Sequence, residues 1–290
     1  MVPSSLFLAA ALLLDANDPS PLDSVLGTGA FGFAEFMVDV NLFGDCGLTF
    51  LDLNGVTVSE TVGPNPMLSG AVFLPELTGM GEQYPLVGLV HGYSVTGDEY
   101  LDLAVQLASW GFVVAVVDFE QLHPNDQSSF QIAMDALNVL EYVATTEPYA
   151  SLIDPSLPWS AVGHSLGGIG TMVMTACDER VRTIVPLVPG TDAMIDPGLL
   201  GDASFLSGPA EKALEFFDGA MYLVWADTDE IVIPPAQATE TYVQVMSAQS
   251  ACNSTNSVCR NLNFSVTGAL HNAPLDFAEP ITLARFPGRI

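Results

Sequence analysis

The run Gly163-His164-Ser165-Leu166-Gly167 constrains this chain more than any other feature, because it joins an apolar, strand-like stretch to a helix of small residues. Leu157–Val162 (LPWSAV) reads as a buried strand and Leu166–Ala176 (LGGIGTMVMTA) as a helix. A strand-turn-helix this sharp lifts the serine hydroxyl clear of the sheet, and it needs glycine on both sides because a Cβ there would strike neighbouring backbone. A G-x-S-x-G pentapeptide arises by chance in about one chain in ten of this length. The flanking sequence must therefore decide between a nucleophilic serine and an ordinary helix N-cap.

The flanks favour a nucleophile. Upstream, Tyr84–His91 (YPLVGLVH) is a second buried-strand run, followed by the turn His91-Gly92-Tyr93-Ser94 and a helical pattern over Tyr100–Trp110. Downstream, Ala220–Ala226 (AMYLVWA) leads into Asp227-Thr228-Asp229-Glu230, and Asn261–Val266 leads into Gly268-Ala269-Leu270-His271-Asn272. The chain order Ser, Asp, His separates one serine-triad fold from the others.

On these residues the chain resembles the α/β-hydrolase superfamily, in its cutinase-like polyesterase, lipase and chlorophyllase-type branch. The resemblance rests on VHGYS at Val90–Ser94, SWGFVVAVVDF at Ser109–Phe119, GHSLGG at Gly163–Gly168, ADTDEIVIP at Ala226–Pro234 and the late His271, and it spans about Leu68 to His271. It implies Ser165 as nucleophile, Asp229 as acid with Asp227 and then Asp192 as alternatives, and His271 as base. The backbone N–H groups of Tyr93 and Leu166 would bind the oxyanion. Where polyester-degrading members often carry an aromatic after the strand that follows the elbow helix, this chain has Val188-Pro189-Gly190.

The expected fold is α/β, an α/β-hydrolase fold with a mostly parallel central sheet and helices on both faces. Strands are expected at Val72–Leu74, Leu86–His91, Phe112–Asp118, Leu157–Val162, Val181–Leu187, Ala220–Ala226 and Asn261–Val266, and helices at Glu99–Trp110, Ser128–Thr146, Ser165–Cys177 and Ala236–Ser247. A catalytic domain over residues 36–290 follows an N-terminal segment, 1–35. Its apolar run Leu6–Leu14 has the length of a signal-peptide core and is too short to span a bilayer. It reads equally as a remnant of a secretion signal or as a helix packing on the body. The stretch Asp192–Ala213 reads either as a lid or as helical packing on the sheet.

Charge narrows the partners. Six basic residues face thirty-four acidic ones, a formal charge of −28, which repels phosphate backbones and anionic lipid. Nucleic acid is not an expected partner, nor is integral membrane association. A neutral ester suits this surface, and a monomer is expected.

Four cysteines are present. Cys252 and Cys259 bracket a short polar loop and form the favoured pair, which would imply an oxidising compartment, secreted or periplasmic. Cys177 is expected as a small buried thiol on the elbow helix, and Cys46 is left either free or paired. No metal or cofactor is expected: the four histidines are scattered, no H-E-x-x-H occurs, and Gly27-Thr28-Gly29 with Gly32 has no strand run before it. His91 and His164 are expected to pack or hydrogen-bond, and His123 to be solvated.

Together these readings give a serine carboxylic-ester hydrolase acting on a small or polymeric neutral ester through an acyl-enzyme. A cofactor-free perhydrolase on the same triad and an inactive binding protein of this fold are the alternatives.

Overall fold

The computed structural model describes residues 32–37, 49–51, 57–59, 68–75, 81–93, 95–118, 129–190, 207–232, 261–266 and 283–285. Among these, nine strands form one sheet in the order β1-β4-β6-β5-β7-β8-β9-β10-β11. They are β1 (Gly32–Met37), β4 (Ser69–Leu74), β5 (Leu86–Val90), β6 (Val113–Asp118), β7 (Trp159–His164), β8 (Val181–Leu187), β9 (Ala220–Ala226), β10 (Asn261–Val266) and β11 (Leu283–Arg285). The short β2 (Thr49–Leu51) and β3 (Thr57–Ser59) pair with each other. From β6 to β10 every neighbouring pair is parallel, while β1, β4 and β11 join antiparallel at the edges.

The middle strands are near-continuous apolar runs because helices cover both faces of the sheet. Val113, Ala115 and Val117 of β6 pack into a core shared with α2 (Ser129–Thr145), α3 (Leu166–Cys177) and α4 (Ser207–Leu214). Val114 and Val116 point the other way, into a second core with Leu103, Ala104, Leu107 and Ala108 of α1 (Leu101–Ser109). The mostly parallel sheet between helical layers is the expected α/β-hydrolase architecture.

Boundaries shift for local reasons. Pro158 lacks an N–H, so β7 starts at Trp159, whose amide donates to Arg180 O at 2.7 Å, and it continues through Gly163 and His164, which pair with Pro186 and Leu187. The helix expected from Glu99 splits into a 3-10 turn over Gly97–Tyr100 and α1. It stops at Gly111, where φ of 88° and the bonds Gly111 N–H to Ala108 O and Phe112 N–H to Leu107 O form a Schellman cap. β4 begins three residues earlier than its apolar core suggests, because Ser69 and Gly70 pair with the end of β6 and the Ser69 hydroxyl donates to Asp118 O. β1 was not anticipated, and it crosses the boundary drawn between residues 35 and 36.

Helix α4 occupies the end of the Asp192–Ala213 stretch and packs on α3. Residues 191–206 and the helix expected over 236–247 lie outside the described residues.

Cys177 requires a correction. It is disulfide-bonded, whereas a buried thiol was expected. The apolar pattern of α3 misleads here because burial ends at Met174, and Thr175, Ala176 and Cys177 are half-buried. Its partner is one of Cys46, Cys252 and Cys259, all outside the described residues.

Candidate active site

Sheet order locates the site before any side chain is considered. From β5 the chain moves to β6 on one side, then crosses to β7 on the other, so β5 and β7 diverge at a switch point. In open parallel sheets the crevice beyond the carboxyl ends of such strands is where ligands bind. β5 is followed by His91-Gly92-Tyr93, and β7 ends at His164, directly before Ser165.

Ser165 lies between β7 and α3 with φ 53° and ψ −117°. This is a strained backbone for a residue with a Cβ, held because its neighbours leave no alternative. The Ser165 amide donates to Leu187 O at 2.8 Å on β8. A Cβ on Gly163 would lie 2.3 Å from Gly167 O, and one on Gly167 would lie 2.3 Å from Val90 O, so both glycines of the pentapeptide are sterically required. Ser165 occupies the N-cap position of α3, yet its side chain makes no capping bond. The N-cap reading of this serine therefore fails, and Ser165 is half-buried at the carboxyl end of β7, in the middle of the sheet.

Leu166 is the first residue of α3. First-turn N–H groups have no intrahelical acceptor and carry the positive end of the helix dipole, so they suit a developing oxyanion. Tyr93 is half-buried in the turn after β5. That turn is pressed on the elbow, since a Cβ on Gly92 would meet His164 Nδ1 at 2.9 Å and Ser165 Cβ at 3.2 Å.

In the turn after β9 the carboxylates of Asp227 and Asp229 differ. Asp229 is buried, and its Oδ1 accepts the N–H groups of Ile231 and Val232, both at 2.8 Å. Asp227 is half-buried. A buried carboxylate fixed by two amides has one orientation, which a residue that must hold an imidazole needs. His271, Asp192 and His123 lie outside the described residues.

His91 and His164 are buried and hydrogen-bonded, as expected. His91 Nδ1 lies 2.8 Å from Gly92 O, and its Nε2 lies 3.5 Å from Asp118 Oδ1. The contact sequence reasoning missed is Tyr100, whose hydroxyl accepts the Gly92 N–H at 3.0 Å and lies 2.8 Å from His164 Nδ1. Nothing in its spacing signals this, because Tyr100 reads as one more apolar residue at a helix start. Among the described residues no group of His, Cys, Asp and Glu could hold a metal ion. None of their helices is long and apolar enough to cross a membrane.

A family model described as PET hydrolase-like matches residues 51–195, half of the chain. The chain belongs to the PET hydrolase-like family. The stretch matched in this family runs from the end of β2 past β8, so it carries Tyr93, Ser165 and Leu166 but neither Asp229 nor His271. This PET hydrolase-like chain is also similar to Lipase 1 of Moraxella sp. (strain TA144), with 30% identity over 106 residues, 37% of this chain and 32% of the lipase. The chain thus spans about a third of that relative's length.

Proposed function

We propose that this chain is a serine carboxylic-ester hydrolase acting on a neutral ester, small or polymeric. The backbone of Ser165, at φ 53° and ψ −117° at the switch point, carries the reading, because strain of this kind presents a reacting hydroxyl and serves no packing purpose. Family membership and the partial similarity to a lipase support the ester as the bond attacked.

In this reading His271, oriented by Asp229, takes the Ser165 proton as the hydroxyl attacks the carbonyl carbon. The oxyanion accepts from the Tyr93 and Leu166 amides, the alkoxide leaves with the proton from His271, and water then hydrolyses the acyl-enzyme by the same route. The net acidic surface suits uncharged substrates.

The test is turnover of 4-nitrophenyl butyrate together with stoichiometric labelling by a fluorophosphonate. Labelling at Ser165, with kcat lowered about 10⁴- to 10⁶-fold in Ser165→Ala, is the expected result. Ester turnover that survives Ser165→Ala, or no turnover by the wild-type protein, removes the proposal. Release of soluble products from a polyester film separates polymer from small-ester hydrolysis.

A further inference from the structure

We infer that Tyr100 is a positioning residue that fixes the spacing of the two oxyanion donors. This inference rests on the ester-hydrolase reading above and concerns the same site.

The donors sit on separate pieces of chain. Tyr93 follows Gly92 in the turn after β5, and Leu166 follows Ser165 at the start of α3. Both must stand about 3 Å from one oxygen atom, so their separation has to be held more tightly than two independent turns would hold it. One phenol connects them. The Tyr100 hydroxyl oxygen accepts the N–H of Gly92, the residue before Tyr93, at 3.0 Å. It lies 2.8 Å from Nδ1 of His164, the residue before Ser165.

The direction of the second bond is assigned from the hydrogen that remains. A buried hydroxyl hydrogen needs an acceptor, and His164 Nδ1 at 2.8 Å can take it, so Tyr100 is assigned as donor to Nδ1, which places the ring proton of His164 on Nε2. Burial holds the Tyr100 hydroxyl well above the ordinary phenol range, against the lowering effect of the Gly92 amide, so it stays protonated and remains a donor. Tyr100 is 3% exposed and His164 2%, which keeps water from substituting for either bond. Tyr100 itself stands at the end of the 3-10 turn leading into α1, anchored in the core opposite α3. The bridge therefore refers both donors to the rigid body of the protein.

Tyr100→Phe removes one oxygen and keeps the ring. The expected result is a kcat for 4-nitrophenyl butyrate lowered about tenfold or more with KM within about twofold, since misplaced donors harm the transition state and spare the ground state. Affinity for a phenylboronic acid, which forms a tetrahedral adduct on the serine, should weaken by a similar factor. A double-mutant cycle with His164→Leu adds a second criterion: if both residues act through this bond, the double variant loses about what Tyr100→Phe loses alone. Losses that multiply, or a Tyr100→Phe enzyme with a lowered Tm and an unchanged kcat, overturn the inference and leave Tyr100 a packing residue. If the cycle cannot be read because wild-type protein lacks Ser165-dependent turnover, the ester-hydrolase reading has failed first, and this inference falls with it.

Discussion

A Cβ placed on Gly167 would stand 2.3 Å from the carbonyl oxygen of Val90, so the first turn of α3 rests directly on the end of β5. The obstacle is backbone, which cannot swing aside as a side chain can. Gly167→Ala should cost about 3 kcal/mol, at the upper end of overpacking, and lower Tm by about 6–12 °C. Gly81→Ala makes the control: φ is 82° there and nothing lies within 4 Å, so only the backbone preference is lost, about 1–2 kcal/mol. Thermal melts of the two variants decide it, and a Gly167→Ala protein at least as stable as Gly81→Ala would show that α3 can lift from β5.

The proposed acid is separable from its neighbours by charge-neutral substitution. Asp229→Asn keeps an oxygen for the amides of Ile231 and Val232, and if Asp229 orients His271 as proposed it loses the charge that would fix the imidazole tautomer, so kcat should fall about 10⁴-fold with little change in Tm. Asp227→Asn and Asp192→Asn should stay within about tenfold of wild type. Steady-state kinetics on all three variants test the assignment, and the largest loss appearing at Asp227 or Asp192 transfers the role to that residue.

How much of this could be read from the sequence depends on whether the determinant was local. The glycines around Ser165 were legible because a sharp turn between strand and helix imposes itself on five consecutive residues. The runs over 181–187, 220–226 and 261–266 matched their strands to the residue, the first two as largely apolar runs of a central parallel sheet and the third (NLNFSV) as a strict polar-apolar alternation. The edges were harder. β1 (GFAEFM) and β4 (SGAVFL) owe their extent to pairing with a partner distant in sequence, which no window contains. Tyr100 and Cys177 failed for the same reason, as each is defined by a contact to a remote residue.

Acid stability should carry one local signature. The Ser156 hydroxyl and amide both donate to Asp154 Oδ1 and hold its pKa below the ordinary 3.8. A depressed carboxyl pKa contributes stability above the unfolded value, and that contribution disappears as pH falls through the folded value. The Tm gap between wild type and Asp154→Asn should therefore be open at neutral pH and close below about pH 4. A gap that is constant or widens in acid contradicts the hydrogen-bond origin.

Cysteine pairing is now constrained from one side. With Cys177 in a bridge, the Cys252–Cys259 pairing leaves Cys46 as its partner. By the chain-entropy relation the short loop is worth about 2.5 kcal/mol and the long one about 5 kcal/mol. Peptide mapping without reductant should show Cys46 linked to Cys177 and Cys252 to Cys259. A Cys177 peptide joined to Cys252 or Cys259 refutes the local pairing, while full alkylation without reductant removes the case for an oxidising compartment.

The charge balance gives the last prediction. Every cation whose side chain is described is already engaged: Arg180 with Glu141 and Asp178 while stacked on Trp159, Arg182 with Asp218, and Lys212 with Glu215. Those pairs are partly exposed and each is worth little, so they do not offset the repulsion among the remaining carboxylates of a chain with net charge −28. Compacting that charge costs free energy, which falls as screening shortens the range to about 10 Å at 0.1 M salt. Tm should rise between near-zero and molar sodium chloride, most steeply at the low end. Chloride is the appropriate salt because sulfate also strengthens apolar burial. A Tm that is flat or falling would mean that the carboxylates are spaced widely enough, or paired with enough bound cation, for their repulsion to be negligible.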